Sequence, residues 1–303
     1  ITNILHTGSH HHYRFANPGE SEEEFSTRRA NELEQLIIKA GPETIAAFVA
    51  EPIMGAGGAV LPPRTYFEKI QAVLTKYDVL MVADEVITGF GRTGEMFGLT
   101  HWNIEPDIIQ FAKAITSGYF PFGGIGINDT IADTLDNADT PWMHAYTYSA
   151  HPVGCAVALR MLRLIKEESF PEQAATKGRR LLQHLRSSLS DHPHVGDIRG
   201  KGLMCAVELV ENRETKKSFS AERQIGIKLN QEQREKIYYM TVNLNTDPVQ
   251  AREEADEFLR LYYGINIWDE RWGPWGSCSE LSLIHISEPT RRYAISYAVF
   301  CLK

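Results

Sequence analysis
The chain has 303 residues, 43% apolar and 23% charged, the balance of a globular protein long enough for one large or two smaller domains. A formal net charge of −8 argues against a general nucleic-acid binder, which needs a basic surface. Four dispersed cysteines (Cys155, Cys205, Cys278, Cys301) with no C-x-x-C pair fit a reducing cytosol, and no apolar run approaches the ~20 residues of a membrane span.

The first residue is Ile1, with no signal-peptide pattern behind it, which reads as a start inside a longer protein. Residues 1–20 lack a clear period and read as a surface loop. Within them His6, His10, His11 and His12 invite a metal hypothesis. Three consecutive histidines cannot share one direction, and no carboxylate spacing follows, so no metal is expected. Ser21-Glu22-Glu23-Glu24 has the form of a capping box, and Phe25, Leu33, Leu36 and Ile37 give a helical stripe that Gly41-Pro42 ends. Thr44–Ala50 reads as a buried strand ending at Glu51-Pro52. Thr65–Tyr77 reads as a helix with Phe67, Ile70, Val73 and Leu74 inward, and Val79–Ala83 as the next strand, ending at Asp84. Strand, helix, strand at this spacing predicts a parallel sheet.

Pro106–Phe111 reads as a third strand delivering Lys113, and Phe122–Ile127 as a further short one. Helices are predicted over Val153–Lys166 and Glu172–Leu189. A hairpin follows, Val195–Arg199 and Leu203–Val210 about the turn Gly200-Lys201-Gly202. In parallel sheets ligands bind beyond the carboxyl ends of the strands, which puts Glu51, Asp84 and Lys113 at one edge.

A buried carboxylate and a lysine in an apolar turn are what pyridoxal phosphate chemistry needs. The carboxylate keeps the ring nitrogen protonated, which makes the ring an electron sink. The lysine must be partly unprotonated near neutral pH, so it is expected in a buried setting, where Phe111, Ala112, Ala114 and Ile115 flank it. The plain alternative makes Asp84 a helix cap and Lys113 a surface lysine. An apolar strand ending in Asp-Glu also occurs in P-loop NTPases, but no G-x-x-x-x-G-K-[ST] loop is present. Gly89-x-Gly91-x-x-Gly94 matches the dinucleotide fingerprint only formally, because Glu95-Met96-Phe97-Gly98 opens no amphipathic helix. These glycines read instead as a tight loop under the cofactor.

Residues 46–58, Val79–Gly94, Phe111–Pro121 and His144–Pro152 together resemble the class III aminotransferases, most of all the ω-amino acid or diamine:pyruvate group. Arg199-Gly200-Lys201-Gly202-Leu203-Met204 resembles that family's small-domain hairpin. The resemblance runs from about Ile1 to about Gln233. It implies an α/β fold: a mainly parallel sheet with helices on both faces (the fold type I large domain) and part of a smaller α+β C-terminal domain. By the same resemblance Lys113 is the Schiff-base lysine, Asp84 partners the pyridine nitrogen of pyridoxal 5'-phosphate, and Val86 packs on the ring. Thr147 and the Tyr146 backbone would bind the cofactor phosphate of the other subunit of a homodimer, and Glu51 would stand on the substrate side. The implied reaction is ping-pong transfer of an amino group from an amine or ω-amino acid to a keto acid, pyruvate by expectation, in the cytoplasm and without a nucleic-acid or membrane partner.

Three departures accompany it. The family is longer at the N-terminus, and its phosphate loop and ring-stacking aromatic are not among the residues from Ile1 onward. After Gln233 the text resembles part of a luciferase-like flavin-dependent monooxygenase, including Glu253–Gly264 and Arg271–Gly276; the plain reading is a divergent small domain with a helix from Asp247 to Tyr263. Leu281–Arg291 and Ile295–Leu302 resemble a translated sequencing adapter and primer. The expected organisation is therefore an incomplete cofactor domain at 1–160, a partial small domain at 161–233, an unrelated or divergent stretch at 234–280, and a non-native end at 281–303. The alternatives are a monooxygenase fragment carrying an aminotransferase intruder, or a non-catalytic protein of the same fold. Both are disfavoured by the length of the aminotransferase match and by the presence of Asp84 and Lys113 together.

Overall fold
The computed structural model describes residues 4–140, 142–225, 284–287 and 298–302. Strand β1 (Ile4–His6) and the one-turn helix α1 (His12–Phe15) open it. This corrects the surface-loop reading of residues 1–20. The His10 ring is 5% exposed, stacked edge-on to Tyr66, with Nε2 3.2 Å from the Val60 carbonyl. Burial lowers its pKa to about 4, so the ring is neutral at pH 7 and can donate to that carbonyl. A neutral imidazole with its N–H satisfied behaves as a core residue, which hydropathy does not announce.

Helix α2 (Glu22–Ala40) starts where Ser21 and Glu24 close a capping box: the Glu24 amide donates to Ser21 Oγ at 3.2 Å, and the Ser21 amide to Glu24 Oε2 at 2.9 Å. It ends at Gly41, whose φ of 92° admits little but glycine. Strand β2 (Ile45–Ala50), helix α3 (Tyr66–Lys76) and strand β3 (Leu80–Asp84) make the expected βαβ unit, with β2 and β3 parallel from Ala47↔Leu80 to Ala50↔Ala83. Strand β4 (Ile108–Phe111) adds parallel to β3, and β5 (Gly124–Ile127) antiparallel to β4. The main core lies where α2 and α3 cover these strands. Leu33, Ile37, Phe48, Phe67 and Ile70 are each 0% exposed there, a burial worth roughly 1.5–3 kcal/mol per side chain.

Helix α4 (Asp129–Asp136), which the sequence reading did not anticipate, is short and capped by Asn128, whose side chain accepts from the Ile131 amide at 2.9 Å. The long helices α5 (Pro152–Glu167) and α6 (Phe170–Leu189) then lead to the hairpin β6 (Val195–Lys201) and β7 (Met204–Leu209), antiparallel as expected. Two late segments, β8 (Ile284–Ser287) and β9 (Ala298–Leu302), complete the sheets. Their orders are β1-β9-β2-β3-β4-β5 and β6-β7-β8, with β9 antiparallel between β1 and β2. The stretch 234–280, with the helix expected from Asp247, lies outside the described residues.

Candidate active site
Three neighbouring parallel strands end at one edge. Glu51 follows β2 directly, Asp84 is the last residue of β3, and Lys113 lies two residues past β4. The register Ala50↔Ala83 and Asp84↔Gln110 sets the three ends side by side. Glu51 is buried and its Oε2 accepts from the Gly55 amide at 2.8 Å. Burial pushes its carboxyl up, the Gly55 bond opposes this, and the charges of Asp84 and Lys113 are near enough to act on it. Asp84 is half-buried, and its Oδ1 accepts from the Val86 amide at 3.1 Å. Val86 is half-buried in the turn that follows β3.

Lys113 departs from expectation. It is exposed, because it opens a one-turn 3-10 helix (Lys113–Ile115) beyond the strand end, between alanines too small to cover it. Its φ of 47° is left-handed, a conformation a non-glycine residue keeps only where its surroundings impose it. Tyr146 and Thr147 are exposed too, ahead of α5; the Tyr146 amide donates to Ser149 Oγ at 3.0 Å. The structure thus gathers Glu51, Asp84, Val86 and Lys113 at one edge and leaves Tyr146 and Thr147 on an open surface.

The glycine loop is a series of tight turns, not the start of a helix. The Phe90 amide donates to the Met96 carbonyl at 2.6 Å and the Gly94 amide to Gly91 at 3.0 Å. Gly94 has φ 98°, and a Cβ there would lie 3.0 Å from the Ala175 methyl of α6. Gly202, in the β6–β7 turn, meets the loop from the other side: a Cβ would fall 2.3 Å from the Thr93 backbone, and the Leu203 amide donates to the Arg92 carbonyl at 3.0 Å. Close backbone approach requires glycine at both positions.

Two residues with no role assigned from sequence hold this edge in place. Glu85 is 0% exposed and accepts from Thr88 Oγ1 at 2.5 Å, the Gly98 amide at 2.8 Å and the Leu99 amide at 3.0 Å. Burial pushes its carboxyl up against those three bonds. Glu85 therefore closes the glycine loop onto the residue next to Asp84. Arg199, 8% exposed on β6, donates from Nε to the Gly58 carbonyl at 3.0 Å across 141 residues of sequence. No local pattern marks a contact of that length.

His11, Asp197 and Glu208 bring potential ligand atoms within 4.8 Å of one another. The carboxylates are already engaged by cations: Arg14 Nε pairs with Glu208, and Arg199 Nη1 lies 2.5 Å from Glu208 and 2.9 Å from Asp197. A metal ion would have to share the site with two guanidiniums, which disfavours it.

The edge offers pyridoxal phosphate a half-buried carboxylate, Asp84, with the apolar Val86 beside it, and a lysine at the neighbouring strand end whose charge reaches Glu51, though that lysine is exposed and not buried. A model of class-III aminotransferases matches residues 3–260, beyond the change in character near Gln233. A probable gamma-aminobutyrate transaminase 4 of Oryza sativa subsp. japonica is 44% identical over 267 residues, 86% of this chain and 55% of the relative. A chloroplastic gamma aminobutyrate transaminase 3 of Solanum lycopersicum is 50% identical over 226 residues, 74% of this chain and 43% of the relative. Among solved structures, an (S)-enantioselective omega-transaminase from Thermomicrobium roseum superposes with a TM-score of 0.73 at 50% identity, over 76% of this chain and 51% of that one. The chain spans about half the length of these relatives. With the family model covering most of its length and the parallel strands β2, β3 and β4 carrying the expected residues at their ends, the chain belongs to the class-III aminotransferases, a family dependent on pyridoxal phosphate.

Proposed function
We propose that the protein transfers an amino group from an amine or ω-amino acid to a keto acid, pyruvate being the acceptor to test first. The observation that carries this reading is the convergence of Glu51, Asp84 and Lys113 at adjacent strand ends. Bound there, pyridoxal phosphate would supply an electron sink for charge developing on the substrate carbon. Asp84 would hold the ring nitrogen protonated, and Val86 would support the ring face. Lys113 would anchor the cofactor through its amine and then move a proton on the substrate carbon. Glu51 would face the substrate.

A homodimer is the proposed assembly, with Tyr146 and Thr147 reaching the partner's cofactor phosphate. The segment bearing them is exposed and apolar: Trp142 is 58% exposed, Met143 87%, Tyr146 72% and Tyr148 81%. Trp142 stacks on His144, which meets Tyr146 edge-on, so the surface is continuous, and continuous apolar surface of this kind marks an interface. The compartment proposed is the cytoplasm, on the dispersed cysteines and the free thiols of Cys155 and Cys205; no helix among the described residues is long and apolar enough to cross a membrane. Reconstitution with pyridoxal phosphate and a screen of amines against pyruvate is expected to yield alanine from at least one donor, and a dimer by size exclusion. A cofactor-loaded chain that forms no alanine with any donor would refute pyruvate as the acceptor, and one that aminates no keto acid would refute the activity.

The domain limits at 160 and 233 are likewise proposed, on the separate hairpin sheet that follows α5 and α6; the family match itself runs past the second limit, to 260. Residues 281–303 are proposed to be adapter-derived. Resequencing the locus is expected to lose these codons; an uninterrupted gene reading through Leu281 with the same codons overturns that.

A further inference from the structure
We infer that Arg199 is a positioning residue for the substrate side of the site, clamping the loop that sets Glu51 to the small-sheet hairpin. The inference rests on the substrate-side reading of Glu51. The loop runs from Glu51 to Val60 and is closed at its base by paired backbone bonds between Met54 and Val60, at 3.1 and 3.0 Å. One end is pinned by the Gly55 amide on Glu51 Oε2. Gly55 also lies against the site turn, where an added Cβ would fall 2.6 Å from Ile87 Cδ1. Near the apex Gly58 takes φ 107°, in the region that favours glycine, and turns its carbonyl to Arg199 Nε at 3.0 Å.

Arg199 cannot drift with the loop. Its Nη1 is held by Asp197 Oδ2 at 2.9 Å and Glu208 Oε2 at 2.5 Å, and Glu208 is paired in turn with Arg14. A planar guanidinium can serve the carboxylates and the carbonyl at once, whereas an ammonium is a point charge that must choose. The bond to Gly58 therefore makes the loop's placement a property of the hairpin. Loss of this contact would change how Glu51 meets a substrate, without touching Asp84 or Lys113.

The test uses the full chain loaded with pyridoxal phosphate. In Arg199→Lys, which keeps the charge near Glu208 but loses the fork, amide exchange in segment 51–60 is expected to quicken about tenfold, the range for one charge-assisted bond. The melting temperature should fall by a few degrees at most, because the charge beside Glu208 is kept, and the cofactor's visible absorbance should persist. Gly58→Ala, which disturbs the same carbonyl from the loop side, should quicken exchange in the same segment. For the amine donor, the concentration giving half-maximal bleaching of that absorbance should rise about tenfold with the limiting rate within about twofold, since only positioning is lost. Unchanged exchange in 51–60 in both variants overturns the clamp. Faster exchange with an unmoved donor response leaves Arg199 a structural residue and overturns its positioning role. A parent chain that shows no cofactor absorbance or donor response refutes the active-site reading instead, and with it the positioning role; the exchange data then decide the clamp alone.

Discussion
Replacing Lys113 by alanine is expected to abolish the visible absorbance that marks pyridoxal phosphate held covalently on the chain, and to stop amino transfer. Loss of the proton-transfer group alone should cost about 10²–10⁴-fold in rate, and loss of the covalent anchor adds to it. The structure gives reasons to single this lysine out. It lies just past the end of β4, beside the β3 end that carries Asp84, and its positive φ is held in a one-turn helix. Because it is exposed, the substitution should leave folding intact, and the melting temperature of the unloaded variant should match the parent's. Full absorbance in Lys113→Ala, with borohydride still fixing the cofactor to the chain, would move the assignment to another lysine.

Replacing Glu208 by glutamine is the substitution expected to cost most stability, about 3 kcal/mol, because it takes the carboxylate from buried Arg14 and leaves Arg199 with Asp197 alone. Glu208 is 1% exposed and accepts from Arg14 on one oxygen and Arg199 on the other, with His11 Nε2 3.4 Å away. Burial alone would raise its carboxyl. The nearby His11 ring and the charges of Arg199 and Arg14 outweigh burial and hold the pKa at about 2. Burial lowers the pKa of His11 itself, so at pH 7 the ring is neutral and the two arginines carry the balance.

The pH dependence follows from the direction of the Glu208 shift. A carboxyl that titrates at about 2 when folded and 4.5 when unfolded adds its stabilisation above 4.5 and loses it as pH falls toward 2. The full effect is about 3 kcal/mol at 1.36 kcal/mol per unit. Melting temperature followed from pH 7 downward should therefore drop below about pH 5, and the drop should be smaller in Glu208→Gln. Equal acid sensitivity in parent and variant would exclude Glu208 as the titrating group.

Much of the fold was legible because its signals are local. The Ser21–Glu24 capping box, the Gly41 stop, the stripes of α2 and α3 and the short apolar runs of β2 and β3 are set by neighbours within a few residues. Hydropathy misled where a polar group changes character on burial. His10 joins the core as a neutral ring, so a segment read as surface loop packs inside. Lys113 erred the other way: its flanking residues are apolar, but they lie past the sheet and leave it exposed. The roles of Glu85 and Arg199 were not readable at all, since one acts through amides 13 and 14 residues away and the other through a carbonyl 141 residues away.

By itself the sequence determined the βαβ framework and the residue types placed at its edge, because periodicity and capping act over one or two turns of chain. It also carried the family resemblance, in motifs that need no contact to be recognised. Only the tertiary structure decided which strand ends lie side by side, how the glycine loop is wedged between α6 and the β6–β7 turn, and which buried charges neutralise one another. Those are matters of parallel register and of contacts between segments far apart in sequence. The Arg14–Glu208–Arg199 network exists only when residues some 190 positions apart meet in a space from which water is excluded.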